Sequence, residues 1–141
     1  MQQLYLASPL GFTELGQRSL KLIVKILSQK FQVINPFDPN EVSNRLNSLL
    51  RNDPSANSSQ EYICWKQEIL NLNHRLAARN LSNINSASTL FAILEGSDVD
   101  SGVAAEIGYI YAQNKPIWGL RTDIRCSGEN IASLINLQVE Y

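Results

Sequence analysis

The run Thr89-Leu90-Phe91-Ala92-Ile93-Leu94 passes through one Gly-containing acidic turn into an apolar helix that extends to about Asn114. Nothing else in the chain narrows the fold as much. A short run without polar alternation predicts a parallel strand covered on both faces. The turn, Glu95-Gly96-Ser97-Asp98-Val99-Asp100, then lies at the carboxyl end of a sheet strand, where open α/β sheets bind their ligands. It places three carboxylates, Glu95, Asp98 and Asp100, around that one turn.

The helix that follows carries an odd residue. Val103, Ala104, Ala105, Ile107, Ile110 and Ala112 make it apolar almost all round and predict that it is mostly buried, yet Glu106 sits in its second turn. A carboxylate there needs a partner or a chemical role, and the positive end of the helix dipole favours its ionised form. One reading bonds Glu106 to a neighbouring Tyr or backbone amide; the other makes it a reactive group. Asp100 divides in the same way between helix N-cap and functional carboxylate, and Asp98 between solvated loop residue and helper.

The rest of the chain alternates strands and helices. Leu4-Tyr5-Leu6-Ala7 opens as a strand, Thr13 caps a helix reaching about Lys30, and Phe31-Gln32-Val33-Ile34 forms a second strand ended by Pro36 and Pro39. Val42, Leu46, Leu49 and Leu50 suggest a short helix, followed by the polar, turn-forming loop 52–59. A helix from Gln60 to about Arg79 carries a stripe of Tyr62, Trp65, Ile69, Leu72 and Leu76, of the kind that covers a core or a subunit interface. Ile117-Trp118-Gly119-Leu120 is the fourth strand, then comes a polar loop over 121–130, and the segment from Ile131 onward is helical or irregular. This order predicts a three-layer α/β fold around a parallel sheet of four to five strands.

Composition removes several function classes. A chain of 141 residues with 44% hydrophobic content supports one core, and no linker or repeat divides it. Twelve basic and thirteen acidic residues, scattered along the chain, leave no electrostatic footprint for a nucleic-acid polymer. No apolar run approaches a membrane span and no signal peptide opens the chain, so a soluble cytoplasmic protein is expected. Cys64 and Cys126 stand outside any metal or redox motif, and His74, the sole histidine, has no nucleophile motif beside it. The first turn, Ser8-Pro9-Leu10-Gly11-Phe12, lacks the glycines of a dinucleotide site, and no P-loop is present.

Taken together, Tyr5-Leu6-Ala7-Ser8-Pro9-Leu10, Asn35-Pro36-Phe37-Asp38, Asp98-Val99-Asp100-Ser101-Gly102 through Glu106-Ile107-Gly108-Tyr109, Lys115-Pro116-Ile117 and Asn136-Leu137-Gln138 resemble the nucleoside 2-deoxyribosyltransferase family over nearly the whole chain. The resemblance implies a flavodoxin-like fold over residues 1–141 as one domain. It implies exchange of the 2-deoxyribosyl group between nucleobases, without phosphate, metal or cofactor, through a covalent deoxyribosyl-Glu106 intermediate with net retention. Glu106 matches the family's nucleophile, Tyr5 the tyrosine bonded to it, and Asp100 the sugar- and pocket-binding aspartate. Asp98, Asn80, Ala7 and Gln138 join the substrate-binding set. Asn136 matches an asparagine that reaches into a neighbouring subunit's site, which implies a homo-oligomer with shared sites. Nucleosides and nucleobases, in nucleotide salvage, are the implied partners.

Two positions depart from the family pattern. Asn80 stands where many relatives carry an aspartate toward the leaving base, and an amide cannot deliver a proton, so that task falls to Asp98 or Asp100. The chain given stops at Tyr141, where some relatives continue, which bears on the shared site. Competing readings are a deoxynucleoside 5-monophosphate N-glycosidase, a non-catalytic nucleotide-binding module and a metal-dependent glycosyltransferase. The first lacks a phosphate cradle in the first loop. The second leaves Tyr5, Asp100, Glu106 and Asn136 together without a purpose, and the third rests on one short Asp-x-Asp pair. An EF-hand fails because its twelfth position, counted from Asp98, is Tyr109.

Overall fold

The computed structural model describes residues 1–54, 58–126 and 130–140. It forms two compact units, one of Met1–Pro36 with Asn83–Tyr141 and the other of Phe37–Ser82. Ser55, Ala56 and Asn57 of the expected polar loop, Ser127, Gly128 and Glu129 of the loop after the fourth strand, and Tyr141 lie outside the described residues.

The larger unit is built on four strands, β1 (Gln3–Ala7), β2 (Gln32–Ile34), β3 (Thr89–Ile93) and β4 (Ile117–Leu120), all parallel in the order β2-β1-β3-β4. No fifth strand joins them among the described residues. Helices flank the sheet, giving an α/β fold. β1 continues to one side through β2 and β3 to the other through β4, so the direction of winding reverses between β1 and β3. In open α/β sheets such a reversal marks the place where ligands bind, outside the carboxyl ends of the two central strands.

Register decides which residues share a face. Tyr5 lies opposite Leu90 and Leu90 opposite Ile117, while Ala7 lies opposite Ala92 and Ala92 opposite Gly119. These residues line the face covered by helix α4 (Ser101–Tyr111), which packs over β3, β1 and β4. The core there joins Tyr5, Leu90 and Ala92 to Val103, Ile107 and Ile110 of α4, and to Ile84 and Ile135.

Helix α1 (Glu14–Leu27) starts as its sequence predicts, with the Thr13 side chain accepting from the Gly16 amide at 3.1 Å. It stops short of Lys30, and β2 begins at Gln32 rather than Phe31. α4 differs from expectation in two ways. Only Val103, Ile107 and Ile110 are buried while Ala105, Gly108 and Ala112 face solvent, so it presents one stripe to the core instead of being enclosed. Small residues read as apolar but need not be covered. The helix also ends at Tyr111, three residues early, because Asn114 takes a left-handed φ of 55°, a conformation Asn tolerates and that stops a helix.

In the smaller unit α2 (Glu41–Arg51) opens with a reciprocal capping box between Asn40 and Ser43. Trp65 of the next helix donates its indole N–H to the Leu49 carbonyl at 2.9 Å and stacks on Tyr62, and Arg45 pairs with Glu68. That helix, α3 (Ser59–Ser86), runs seven residues beyond the expected end near Arg79. Leu72, Leu76, Ile84 and Ala87 keep helical spacing past Arg79, and Ile84 and Ala87 are anchored in the core. Asn80 therefore lies within this helix.

Among the described residues no helix is long and apolar enough to cross a membrane, and no group of three metal-ligating side chains occurs. Cys64 and Cys126 are exposed and unpaired.

Candidate functional site

β1 is the most deeply buried strand, with Leu4, Tyr5, Leu6 and Ala7 all at 1% exposure or less. Of these four only Tyr5 has a polar side-chain atom, and a buried phenol requires a partner. It donates to Glu106 Oε1 at 2.6 Å, linking residues 101 positions apart in the chain. That length is typical of an O–H donating to an ionised carboxylate. Among the described residues the second oxygen, Oε2, takes no hydrogen bond.

Burial raises the Glu106 carboxyl above its ordinary range; the Tyr5 bond pulls it back, and the negative charge of Asp100 adds to the rise. The outcome is a half-buried carboxylate with one oxygen fixed and one oxygen unoccupied. A group of that kind can attack an electrophilic carbon or stabilise a developing positive charge.

Asp100 caps α4, its Oδ1 accepting from the amides of Gly102 at 2.9 Å and Val103 at 3.1 Å. A Cβ on Gly102 would approach that same Oδ1 to 3.0 Å, so the glycine leaves the cap its room. The cap reading of Asp100 is thus realised, and its charge still acts on Glu106 one and a half turns along the helix. Asp98 accepts from the Val99 amide at 2.8 Å and is otherwise exposed, while Val99 is buried beneath it. Ala7 ends β1 wholly buried on the α4 face, in the same core cluster as Tyr5. Ser8 is turned to a local task, its Oγ accepting from the Leu10 amide at 3.1 Å.

The structure joins Tyr5 to Glu106 and places Asp100 where its charge acts on Glu106. Asp98 lies on the same loop as Asp100, Ala7 is buried at the end of β1, and among the described residues neither Asn136 nor Gln138 makes a hydrogen bond to Glu106 or Asp100. Asn136 Oδ1 accepts from the Gln138 amide at 2.9 Å and starts the short helix α5 (Leu137–Glu140). Gln138 lines a cavity of about 570 Å³ that Leu94, Ile107, Tyr111, Gly119 and Arg121 also line, on the β4 side of α4. Glu106 and Tyr5 do not line it. Asn80 belongs to the smaller unit.

Two residues acquire a role that the sequence reading did not give them. Glu95 and Arg121 bind the loop after β3 to the segment after β4. The available signal was a Glu and an Arg each placed directly after adjacent parallel strands.

The family model described as nucleoside 2-deoxyribosyltransferase matches residues 4–138. Among solved structures, a 2-deoxyribosyltransferase from Leishmania mexicana is 18% identical with a TM-score of 0.65, over 100% of this chain and 87% of that one. A conserved protein from Enterococcus faecalis V583 is 25% identical with a TM-score of 0.64, over 99% and 87%. A 2-deoxyribosyltransferase from the psychrotolerant bacterium Bacillus psychrosaccharolyticus is 22% identical with a TM-score of 0.55, over 97% and 79%. At these identities the likeness establishes the fold. No curated protein sequence matches the chain.

Proposed function

We propose, since this chain belongs to the nucleoside 2-deoxyribosyltransferase family, that it exchanges the base of a 2-deoxynucleoside with Glu106 as nucleophile. The observation that carries the reading is the 2.6 Å bond from the buried Tyr5 phenol to Glu106, which leaves Oε2 open at the switch point of the sheet. Oε2 attacks the anomeric carbon as the N-glycosidic bond breaks, and the base departs with the bonding electron pair and takes up a proton. A second base attacks the same carbon and returns its N–H proton to the carboxylate that protonated the first, the Glu106–sugar ester breaks, and both carboxyl groups are restored. Two inversions give net retention.

Each neighbour has a part in this scheme. The Tyr5 phenol orients the carboxylate and moderates its basicity. Asp100 keeps Oδ2 for a sugar hydroxyl while Oδ1 caps the helix, and Asp98 is the second carboxyl on the same loop. One of these two supplies the leaving base with its proton, because Asn80 cannot. Asn136 and Gln138 complete a site on a neighbouring subunit of a homo-oligomer; within one chain Asn136 Oδ1 accepts only from the Gln138 amide among the described residues. The match over residues 4–138 runs through both compact units, so we take them as parts of one functional domain.

Incubation with deoxyinosine and free adenine, without phosphate, tests the reading. Deoxyadenosine and hypoxanthine should form together, with little free deoxyribose. Free deoxyribose rising as fast as hypoxanthine would replace transfer by hydrolysis. Reaction confined to 5-monophosphates would do the same for the substrate class.

A further inference from the structure

β3 and β4 run in register as far as Ile93 opposite Leu120, and one further ladder bond joins the Leu94 amide to the Leu120 carbonyl at 2.8 Å. Past that point the two chains diverge, one into the acidic loop that carries Asp98 and Asp100, the other into residues 121–126. Two charged side chains cross the gap in opposite directions. Arg121 Nη1 donates to the carbonyls of Leu94 at 2.6 Å and Gly96 at 3.0 Å. Glu95 Oε1 accepts from the Thr122 amide at 2.5 Å and its Oε2 from the Asp123 amide at 3.1 Å. The second guanidinium nitrogen of Arg121 holds its own segment through the Arg125 carbonyl at 2.8 Å, and Asp123 pairs with Arg125 in the same turn.

We infer that Glu95 and Arg121 form a reciprocal brace that positions Asp98 and Asp100 for the substrate, an inference that rests on the reading of Glu106 and its loop as the reactive site. Each charge is directed at backbone groups of the opposite segment, so the pair continues the sheet ladder beyond the last paired residues. Charge-assisted bonds are stronger than neutral ones and fix direction as well as distance. Gly96, whose carbonyl is the second that Arg121 holds, has a φ of 108°, open to glycine and strained for other residues. The brace therefore fixes the turn two residues ahead of Asp98 and four ahead of Asp100. A displacement of about 1 Å at such positions is enough to matter in a site that works by orientation. Glu95 and Arg121 are positioning residues: they act through the loop, and Tyr5 and Glu106 lie outside it.

The test uses the full chain with Glu95→Gln, Arg121→Gln and the double variant. An amide at position 95 faces the Thr122 and Asp123 N–H groups with one acceptor in place of two and adds a donor that they cannot accept. Amide hydrogen exchange over residues 94–103 should speed up in both single variants while the peptides of β1 stay protected. In base exchange the nucleoside KM should rise and kcat should fall, together lowering kcat/KM about tenfold, the size of one lost charge-assisted bond, because the displaced carboxylates both hold the sugar and protonate the leaving base. The double variant should resemble either single one, since opening one side of the brace releases the loop. Unchanged exchange over 94–103 overturns the inference, as does a loosened loop with unchanged kcat/KM, or equal loosening of every peptide. If the wild type transfers no base at all, the reading of Glu106 fails separately. The brace is then judged by 13C titration of the Glu106 carboxyl, which must fall in both variants as Asp100 moves away; an unmoved titration sinks it.

Discussion

Replacing Tyr5 by Phe removes one oxygen from the most buried strand and one hydrogen bond from Glu106, and leaves the ring and its packing in place. A hydrogen bond to a charged group contributes about 1.5–3 kcal/mol, and the carboxylate left behind stays half-buried. The sign of the pH dependence follows from which form of Glu106 the phenol favours. It stabilises the ionised form and so lowers the Glu106 pKa against the upward pull of burial and Asp100. Its contribution to stability is therefore present where Glu106 is ionised and is lost as pH falls through the folded-state pKa. At neutral pH the variant should lose about 1.5–3 kcal/mol, roughly 5–10 °C in Tm for a chain of this length, and the gap should close on acidification. Transfer should fall about 10- to 100-fold in kcat/KM, and the acid limb of its pH profile should move to higher pH as Glu106 becomes harder to ionise. Thermal melts and rate profiles from acid to neutral pH supply both readouts. A stability gap that is flat with pH, or an acid limb that moves down, would refute the account of this bond.

Three further outcomes follow from the same geometry. Glu106→Gln should reduce base exchange by about a thousandfold or more. It should also raise Tm at neutral pH, because burial penalises the charge it removes; the folded-state pKa is raised, so this gain should fade as pH drops and the native carboxyl is protonated. Asp100→Asn should hold the unfolding free energy to within about 0.5 kcal/mol, since Asn caps as well as Asp, but should raise the nucleoside KM and shift the acid limb of transfer downward by removing the charge beside Glu106. Unchanged kinetics would leave Asp100 as a cap alone. Mixing inactive Glu106→Ala with inactive Asn136→Ala subunits should restore some activity if sites are completed between subunits. A mixture that stays inactive after verified subunit exchange would count against shared sites.

The β-strands were legible because parallel strands buried on both faces are written as local apolar runs, and Thr89 to Leu94 could hardly be anything else. Helix starts were legible for a similar reason: Thr13 and Asp100 cap through their own side chains, and both contacts lie within three residues. What escaped depended on distant partners. The end of α3 is decided by Ile84 and Ala87 meeting the sheet core, which local composition does not contain. The exposed flank of α4 escaped because Ala and Gly look apolar whether or not anything covers them. The role of Arg121 escaped because its targets are backbone carbonyls 25 and 27 residues away, and carbonyls leave no mark in a sequence. The family resemblance implied a bond between Tyr5 and Glu106, and the folded chain makes it across 101 positions of sequence.

That junction explains why a reactive carboxylate can be placed here at all. A charge on a core helix is ordinarily destabilising, and the cost falls if the group has a partner and an exit to the surface. α4 supplies both: Glu106 lies beside the buried stripe of Val103, Ile107 and Ile110, close enough for Tyr5 to reach one oxygen, while the side chain is only half-buried and the other oxygen takes no hydrogen bond among the described residues. The phenol's partial compensation leaves the carboxylate disfavoured relative to water, as the raised pKa records. This residual penalty has a direction. Forming an ester at Oε2 removes the buried charge, so the penalty borne by free Glu106 favours the covalent intermediate, and Tyr5→Phe should increase that bias while slowing the approach to it. Quenching the reaction with acid and weighing the intact protein would show it: the fraction carrying a deoxyribosyl adduct at steady state should be higher in Tyr5→Phe than in the wild type. A lower fraction would mean that the phenol serves the ester more than the carboxylate.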